Sequence, residues 1–367
     1  NLVDIFAQIT EIKYEVCCYS QLNIIYFQEL DINSMPSNCM IKKDDFNYGI
    51  SKWVSPKRTR SYPFERVYNT LYLSKKITII PIIKDEGLEG DRDFIQWDTI
   101  SLMSLLDVYV ILAYYQQADN HKTKANKITN QKFNSDYIKE KIIEISHYHS
   151  SALHWNIKET QESLPNLIIK VKNSYHDIEN KLRVKFHHEN GINKFQKQIL
   201  EGVEEFIKKS RQKAQEAQKR EQKTIQPKEV LSTQTKATIT ISNYLGGLYY
   251  LTTDEIKIQK DKLFLIEGKY TKNSVLPSLS DIKDGLLKMI LYINLKNVKI
   301  NDQEYITIPV LKLSSSRIKG NISSKDSQND LLYFMNQNKL NNKHKEIINN
   351  LWKESEKNNF LIEIESI

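Results

Sequence analysis

Cysteine, glycine, proline and long apolar runs are all scarce in this 367-residue chain. The three cysteines, Cys17, Cys18 and Cys39, form no CxxC and no even-numbered set, which excludes a disulfide scaffold and suits a reducing cytoplasm. Ten glycines and eight prolines are too few for a collagen-like, linker-dominated or wholly disordered chain. No apolar run approaches the roughly 20 residues that cross a bilayer. The longest, Val108 to Tyr115, has the length of a buried strand, and Asn1 to Ser20 lacks a signal-peptide layout; neither points to a membrane. Arginine is scarce too, at 8 of 53 basic residues. With so much lysine, asparagine and isoleucine, part of the basic surplus reads as AT-rich coding bias. The net charge of +8 therefore suits a polyanionic partner without establishing one.

What is present is an ordinary globular balance, 40% hydrophobic and 27% charged, enough for two or three packed units. Ile77 to Ile83 and Val108 to Tyr115 read as buried strands around a short helix, Ile100 to Leu106. Pro81 hints that the first strand is an edge. Tyr137, Ile138, Ile142, Ile143 and Ile145 mark one amphipathic helix. Phe195, Ile199, Val203 and Phe206 mark a longer one, Asn193 to Gln222, closed by Pro227. Strands follow: Ala237 to Ile241, Leu248 to Thr253, Ile256 to Ile258 and the wholly apolar Leu263 to Ile266. A helix opens at Ser278 with near-capping-box spacing, its inner face Ile282, Leu286, Met289, Ile290 and Ile293. Tyr305 to Leu313 is a further strand, with Pro309 again suggesting an edge. The expected divisions are 1–126 (α/β, recognition), 127–192 (helical), 193–320 (core) and 321–367 (helical tail). The expected class is α/β, a mixed central sheet flanked by helices with additional α/β and helical segments.

The chemistry concentrates in Thr253-Asp254-Glu255-Ile256 and Leu263-Phe264-Leu265-Ile266-Glu267-Gly268-Lys269. Twelve residues lie between Asp254 and Glu267, enough for one strand to turn and its neighbour to return. Glu267 and Lys269 are two apart on a strand and leave the same face. Two carboxylates and an ammonium thus converge at one end of a sheet. Carboxylate oxygens are the hard ligands that Mg²⁺ prefers, and a lysine beside them can orient an attacking water or stabilise developing negative charge. Other Glu-x-Lys triplets occur, including Glu11-Ile12-Lys13, Glu221-Gln222-Lys223 and Glu255-Ile256-Lys257, but none has an acidic partner and an all-apolar strand before it.

This order of strand, acid, hairpin, apolar strand ending Glu-x-Lys, amphipathic helix and strand resembles the PD-(D/E)XK nuclease superfamily over about Asn193 to Leu313. The resemblance implies a restriction-endonuclease-like core in which Asp254 and Glu267 bind metal and Lys269 acts with the attacking water. It also implies a further acid from the preceding helix: Glu201, Glu204 or Glu205, with Glu204 taken as the third metal ligand. Thr253 stands where the family pattern has proline, which leaves Glu255 as an alternative to Asp254; Asp254 is preferred because Glu255 would point to the opposite face. Size and the strings around Lys84-Asp85-Glu86-Gly87 and Gly90-Asp91-Arg92-Asp93 further resemble bacterial type II restriction endonucleases. That resemblance implies a Mg²⁺-dependent, sequence-specific double-stranded DNA endonuclease. It would be cytoplasmic, leave 5′-phosphates and act as a homodimer on palindromic sites. Another nuclease of the superfamily, in repair or transposition, or a non-cleaving DNA-binding protein are the alternatives.

Outside the core, Lys52 to Pro63 is the densest basic and aromatic segment. Lys57, Arg58, Arg60 and nearby Arg66 are its candidates for DNA contact. Lys283 opens the helix after the Glu-x-Lys strand and is a candidate phosphate contact; Asp281, Asp284 and Lys288 read as a solvated helix face. The acidic loop Asp85 to Asp98 reads as an ion-pair network around Arg92 or as a loop facing bases. His147, His149 and His154 lack zinc-site spacing and read as structural. Gly246-Gly247 has no following Lys-Ser/Thr and is a turn, so no nucleotide cofactor is expected.

Overall fold

The computed structural model describes residues 3–44, 46–57, 63–201, 235–243 and 247–367. They form a mixed α/β protein with a nine-strand and a five-strand mixed sheet. The chain divides into two compact units, Asn1–Ser20 with Ala214–Ile367, and Gln21–Lys213. This differs from the four-part division expected from sequence. The first strand, Val3–Ile9, lies parallel to Thr235–Asn243, with Ile5 opposite Ile239. Its alternating Ile5, Ala7 and Ile9 are buried, and they find their core in the carboxyl-terminal sheet rather than beside their sequence neighbours. The tail is not purely helical either. After the helices Gln328–Gln337 and Asn342–Asn358 it ends in Leu361–Ser366, a strand parallel to Ile306–Ser315.

The nine-strand order is Gln303–Glu304, Lys296–Ile300, Val3–Ile9, Thr235–Asn243, Gly247–Gln259, Lys262–Thr271, Ile306–Ser315, Leu361–Ser366 and Ile322–Ser323. Gly247–Gln259 and Lys262–Thr271 are the expected hairpin, although the first is one continuous strand rather than two. Ile306–Ser315 is interior, not an edge. Its pairing with Leu361–Ser366 begins only at Val310, one residue past Pro309, so the proline's missing N–H leaves no ladder position empty on that side.

In the other unit the order is Ile24–Tyr26, Asn38–Lys43, Phe46–Lys52, Lys75–Pro81 and Val108–Ala113. Lys75–Pro81 and Val108–Ala113 are parallel, joined through the helix Trp97–Leu105. Pro81 escapes the edge requirement in the same way, because pairing with Phe46–Lys52 stops at Ile79. Ile41, Ile50, Ile79, Ile111, Ile138, Ile142 and Trp155 meet in its core. The helix Ser135–Ser146 buries the isoleucines expected of it except Ile143, which is exposed. The helix predicted over Asn193 to Gln222 is described as Asn190–Leu200, with Glu201 at its carboxyl-terminal cap; the rest of the predicted span, from residue 202, lies outside the described residues.

Candidate active site

Lys262–Thr271 pairs on both sides, antiparallel to Gly247–Gln259 and parallel to Ile306–Ser315. That interior position takes Glu267 out of water, leaving it 1% exposed. Glu255 is opposite Ile266 in the antiparallel ladder, so the two share a face and the neighbours Asp254 and Glu267 share the other. Asp254 is exposed there and its Oδ2 accepts from the Gly268 N–H at 3.0 Å. Glu255 is buried on the opposite face with Thr253, which favours Asp254 over Glu255 on geometry.

The helix Leu279–Ile293 starts where Ser278 Oγ accepts from the Asp281 N–H at 3.1 Å. Ile282, Leu286, Met289 and Ile290 are buried, seating the helix against the two parallel strands. Beside that apolar stripe stand Asp284 and Lys288, one turn apart, and both reach the Glu267 strand. Lys288 Nζ donates to Glu267 Oε2 at 2.7 Å and lies 3.4 Å from the Thr252 carbonyl. Lys269 Nζ is 3.1 Å from Glu267 Oε1 and donates to Asp284 Oδ2 at 2.6 Å. Gly285 makes room for this: a Cβ there would lie 3.3 Å from Lys269 Cε and 2.7 Å from Leu311 Cδ1. Tyr292 closes the inner side, its hydroxyl 3.3 Å from the Thr252 carbonyl oxygen.

The result is an alternating chain of charge: Asp254, Glu267 and Asp284 against Lys269 and Lys288. Burial pushes the Glu267 carboxyl upward, with Asp254 adding to the push, while Lys288 and Lys269 oppose it. Burial would likewise lower both lysines, but Glu267, with Asp284 beside Lys269, outweighs it and holds each ammonium above the ordinary lysine range. Lys269 is consequently a protonated donor near neutrality, not a general base. Of the competing triplets, Glu255 and Lys257 also pair, at 3.4 Å, but Lys257 is half exposed and meets no second acid among the described residues.

Three of the expected site residues, Asp254, Glu267 and Lys269, are together. Glu204 and Glu205 lie outside the described residues, as do Arg58 and Arg60. Lys57 is exposed in the other unit. Arg66 there is partly buried and donates to the Lys52 carbonyl at 2.5 Å. Lys283 is not at a surface: it is fully buried, its Nζ donating to Ser20 Oγ at 2.6 Å. Asp284 and Lys288 belong to the cluster rather than to a solvated face. The signal for them was available in their i, i+4 spacing beside the inner stripe of the helix that follows the Glu-x-Lys strand.

Among the described residues no group of three or more His, Cys, Asp and Glu side chains is placed to hold a metal ion. Mg²⁺ keeps several waters and needs only one or two carboxylates, and Asp254 with Glu267 supplies two hard oxygen donors on one face. By donor chemistry the pair fits, and both Glu267 oxygens meet an ammonium that a metal would have to share or displace.

The acidic loop is an internal network, the first of the two readings offered for it. Asp85 is 1% exposed, lies 3.7 Å from Arg92, accepts from the Gly87 N–H at 2.9 Å and sits 2.8 Å from His187 Nδ1. Glu86 pairs with Lys84 at 3.0 Å, and Asp93 accepts from Ser55 Oγ at 2.9 Å. A cleft of about 420 Å³ opens beside Asp85, Tyr175, His176, His187 and His188, and none of its lining residues belongs to the Glu267 cluster. His147, His149 and His154 are exposed and separate from it. Among the described residues no helix is long and apolar enough to cross a membrane. No protein-family model, curated protein or solved structure matches the chain.

Proposed function

We propose that this chain is a sequence-specific, Mg²⁺-dependent double-stranded DNA endonuclease of the type II restriction class, with a restriction-endonuclease-like core. The observation that carries the reading is the convergence of Asp254, Glu267 and Lys269 on one sheet face, with Glu267 buried and Lys269 held as an ammonium. Asp254 and Glu267 would hold Mg²⁺, which when bound supplies Lewis-acid stabilisation of the charge that builds on the phosphate. Lys269 serves as a fixed donor. Its ammonium, braced by Asp284 at 2.6 Å, meets the negative charge that develops as water attacks phosphorus. The water oxygen bonds phosphorus and releases its proton to solvent, the bond from phosphorus to the 3′ oxygen breaks, the departing oxygen takes a proton from solvent, and the product carries a 5′-phosphate. Exposed Lys57 and the undescribed Arg58 and Arg60 belong with base or phosphate recognition in this reading, and a homodimer would match a palindromic site.

One observation favours a DNA-binding protein that does not cut: each Glu267 oxygen already faces a lysine ammonium, at 3.1 and 2.7 Å, which competes with a metal for the carboxylate. The test is cleavage of methylation-free DNA of known sequence with Mg²⁺, comparing wild type with Lys269→Ala and Asp254→Ala. Discrete fragments from wild type, reduced about 100-fold or more in both variants with DNA binding retained, are expected. Binding without cleavage across several metals and DNAs would leave the non-cleaving reading standing. Unchanged cutting by both variants would place the chemistry elsewhere.

A further inference from the structure

Resting on that nuclease reading, we propose that Lys288 is a resident counter-ion that competes with the divalent metal for Glu267, and that a DNA phosphate releases the site by taking over its ammonium. The two lysines on Glu267 are not equivalent. Lys269 is braced between two acids, Glu267 at 3.1 Å and Asp284 at 2.6 Å. Among the described residues Lys288 pairs with one carboxylate, Glu267 Oε2 at 2.7 Å, and makes a long contact, 3.4 Å, to the Thr252 carbonyl. It stands beside the helix's buried stripe, its side chain 16% exposed, like that of Lys269, against 2% for Glu267, so a phosphate oxygen can reach it without entering the core. Of the two lysines on Glu267 it is the one with the fewer carboxylate partners among the described residues.

Charge supplies the coupling. Three carboxylates and two ammoniums leave the cluster one negative charge, so a divalent ion entering at Glu267 turns it positive. Two like-charged groups would then share one carboxylate oxygen in a site shielded from water, where their repulsion is poorly screened. A phosphodiester brings the missing negative charge and offers Lys288 acceptor oxygens of the kind it gives up. The free protein therefore binds metal weakly, and DNA and metal bind with positive coupling, each raising the other's affinity by the same factor.

The experiment is a calorimetric titration of Mn²⁺ into the full chain, alone and with a mixed-sequence duplex, for wild type, Lys288→Gln, Lys288→Met and Glu267→Gln. Circular dichroism and the unfolding midpoint report folding. Lys288→Gln keeps an N–H donor for Glu267 while removing the charge, so it remains informative if the apolar Met variant unfolds. Expected are Mn²⁺ affinity at least tenfold tighter in Lys288→Gln than in wild type without DNA, and a DNA-induced gain in wild type that the variant lacks. Folded Lys288→Gln binding Mn²⁺ no tighter than wild type, while Glu267→Gln abolishes binding, would overturn the counter-ion role and leave the metal site intact. No Mn²⁺ binding dependent on Glu267 in any folded protein, with or without DNA, would overturn the nuclease reading along with it.

Discussion

Glu354 shows how a single buried side chain can organise a segment without taking part in chemistry. It is fully buried, and its carboxylate accepts from the Tyr14 hydroxyl at 2.5 Å and from the Cys17 and Cys18 amides at 2.8 and 2.7 Å. Removing the acceptor strands the buried Cys18 donor and the partly buried donors of Tyr14 and Cys17, each costing about 1–3 kcal/mol at most. Glu354→Ala should therefore lose about 3–5 kcal/mol in a urea unfolding curve. A loss below about 1 kcal/mol would mean that water replaces the carboxylate easily. Asp85 offers a pH test with a defined sign. Burial raises its carboxyl above the ordinary aspartate value of 3.8, against opposing His187, Gly87 and Arg92. The folded state thus holds this proton more tightly than the unfolded one, and the group's contribution to stability falls as pH rises from 3.8 through the raised folded value. Asp85→Asn should remove that slope. Parallel Tm-against-pH curves for the two proteins over this range would contradict the shift.

At the scale of the element, the helix Leu279–Ile293 is what turns a strand-end Glu-x-Lys into a five-membered charge cluster. Gly285 sits at its closest approach. A methyl group there gains about 1 kcal/mol of helix propensity and costs about 1–3 kcal/mol through overpacking against Leu311. Gly285→Ala is therefore expected to shift stability by no more than about 2 kcal/mol. Its larger effect should fall on cleavage, because the same methyl group crowds Lys269 Cε at 3.3 Å. Cleavage lost only in proportion to unfolding would show that Lys269 has room to adjust. The cap at Ser278 and the inner apolar stripe were legible as sequence. Which neighbours of the stripe face the site was not, because Asp284 and Lys288 acquire a role only when the Glu267 strand lies beside them. Lys283, chosen for its place in the chain, is turned inward to Ser20 by the same packing.

On the scale of the whole molecule, the sheet that carries the site is assembled from both ends of the chain. Val3–Ile9 fills a place between Lys296–Ile300 and Thr235–Asn243, and Leu361–Ser366 covers Ile306–Ser315. A chain lacking residues 1–20 should lose DNA cleavage and cooperative thermal unfolding of this unit, although none of the proposed catalytic residues is removed. It would leave Ile239 and Ile241 without the strand that shields them. Full cleavage by the shortened chain would show that the sheet closes without its first strand. Asn1–Ser20 groups with Ala214–Ile367 rather than with the rest of residues 1–126, because sequence proximity carries no information about which sheet a short amphipathic strand will join. Both proline arguments failed for a related reason: a strand can be interior overall and still have one unpaired side at its end.

Local chemistry was readable from the order of residues. An apolar run ending Glu-x-Lys, an acid placed one hairpin earlier and a capped helix afterwards are short-range patterns, set by side-chain periodicity and turn length. They were enough to bring Asp254, Glu267 and Lys269 into one hypothesis. The two lysines sharing Glu267, Asp284 bracing Lys269, and the distant strands that bury the acid depend on contacts between segments far apart in the chain. Those follow from hydrophobic burial and strand pairing across the whole sheet, which no local spacing encodes. The same pairing gave Glu267, among the Glu-x-Lys glutamates of the described chain, its nearly complete burial between two ammoniums.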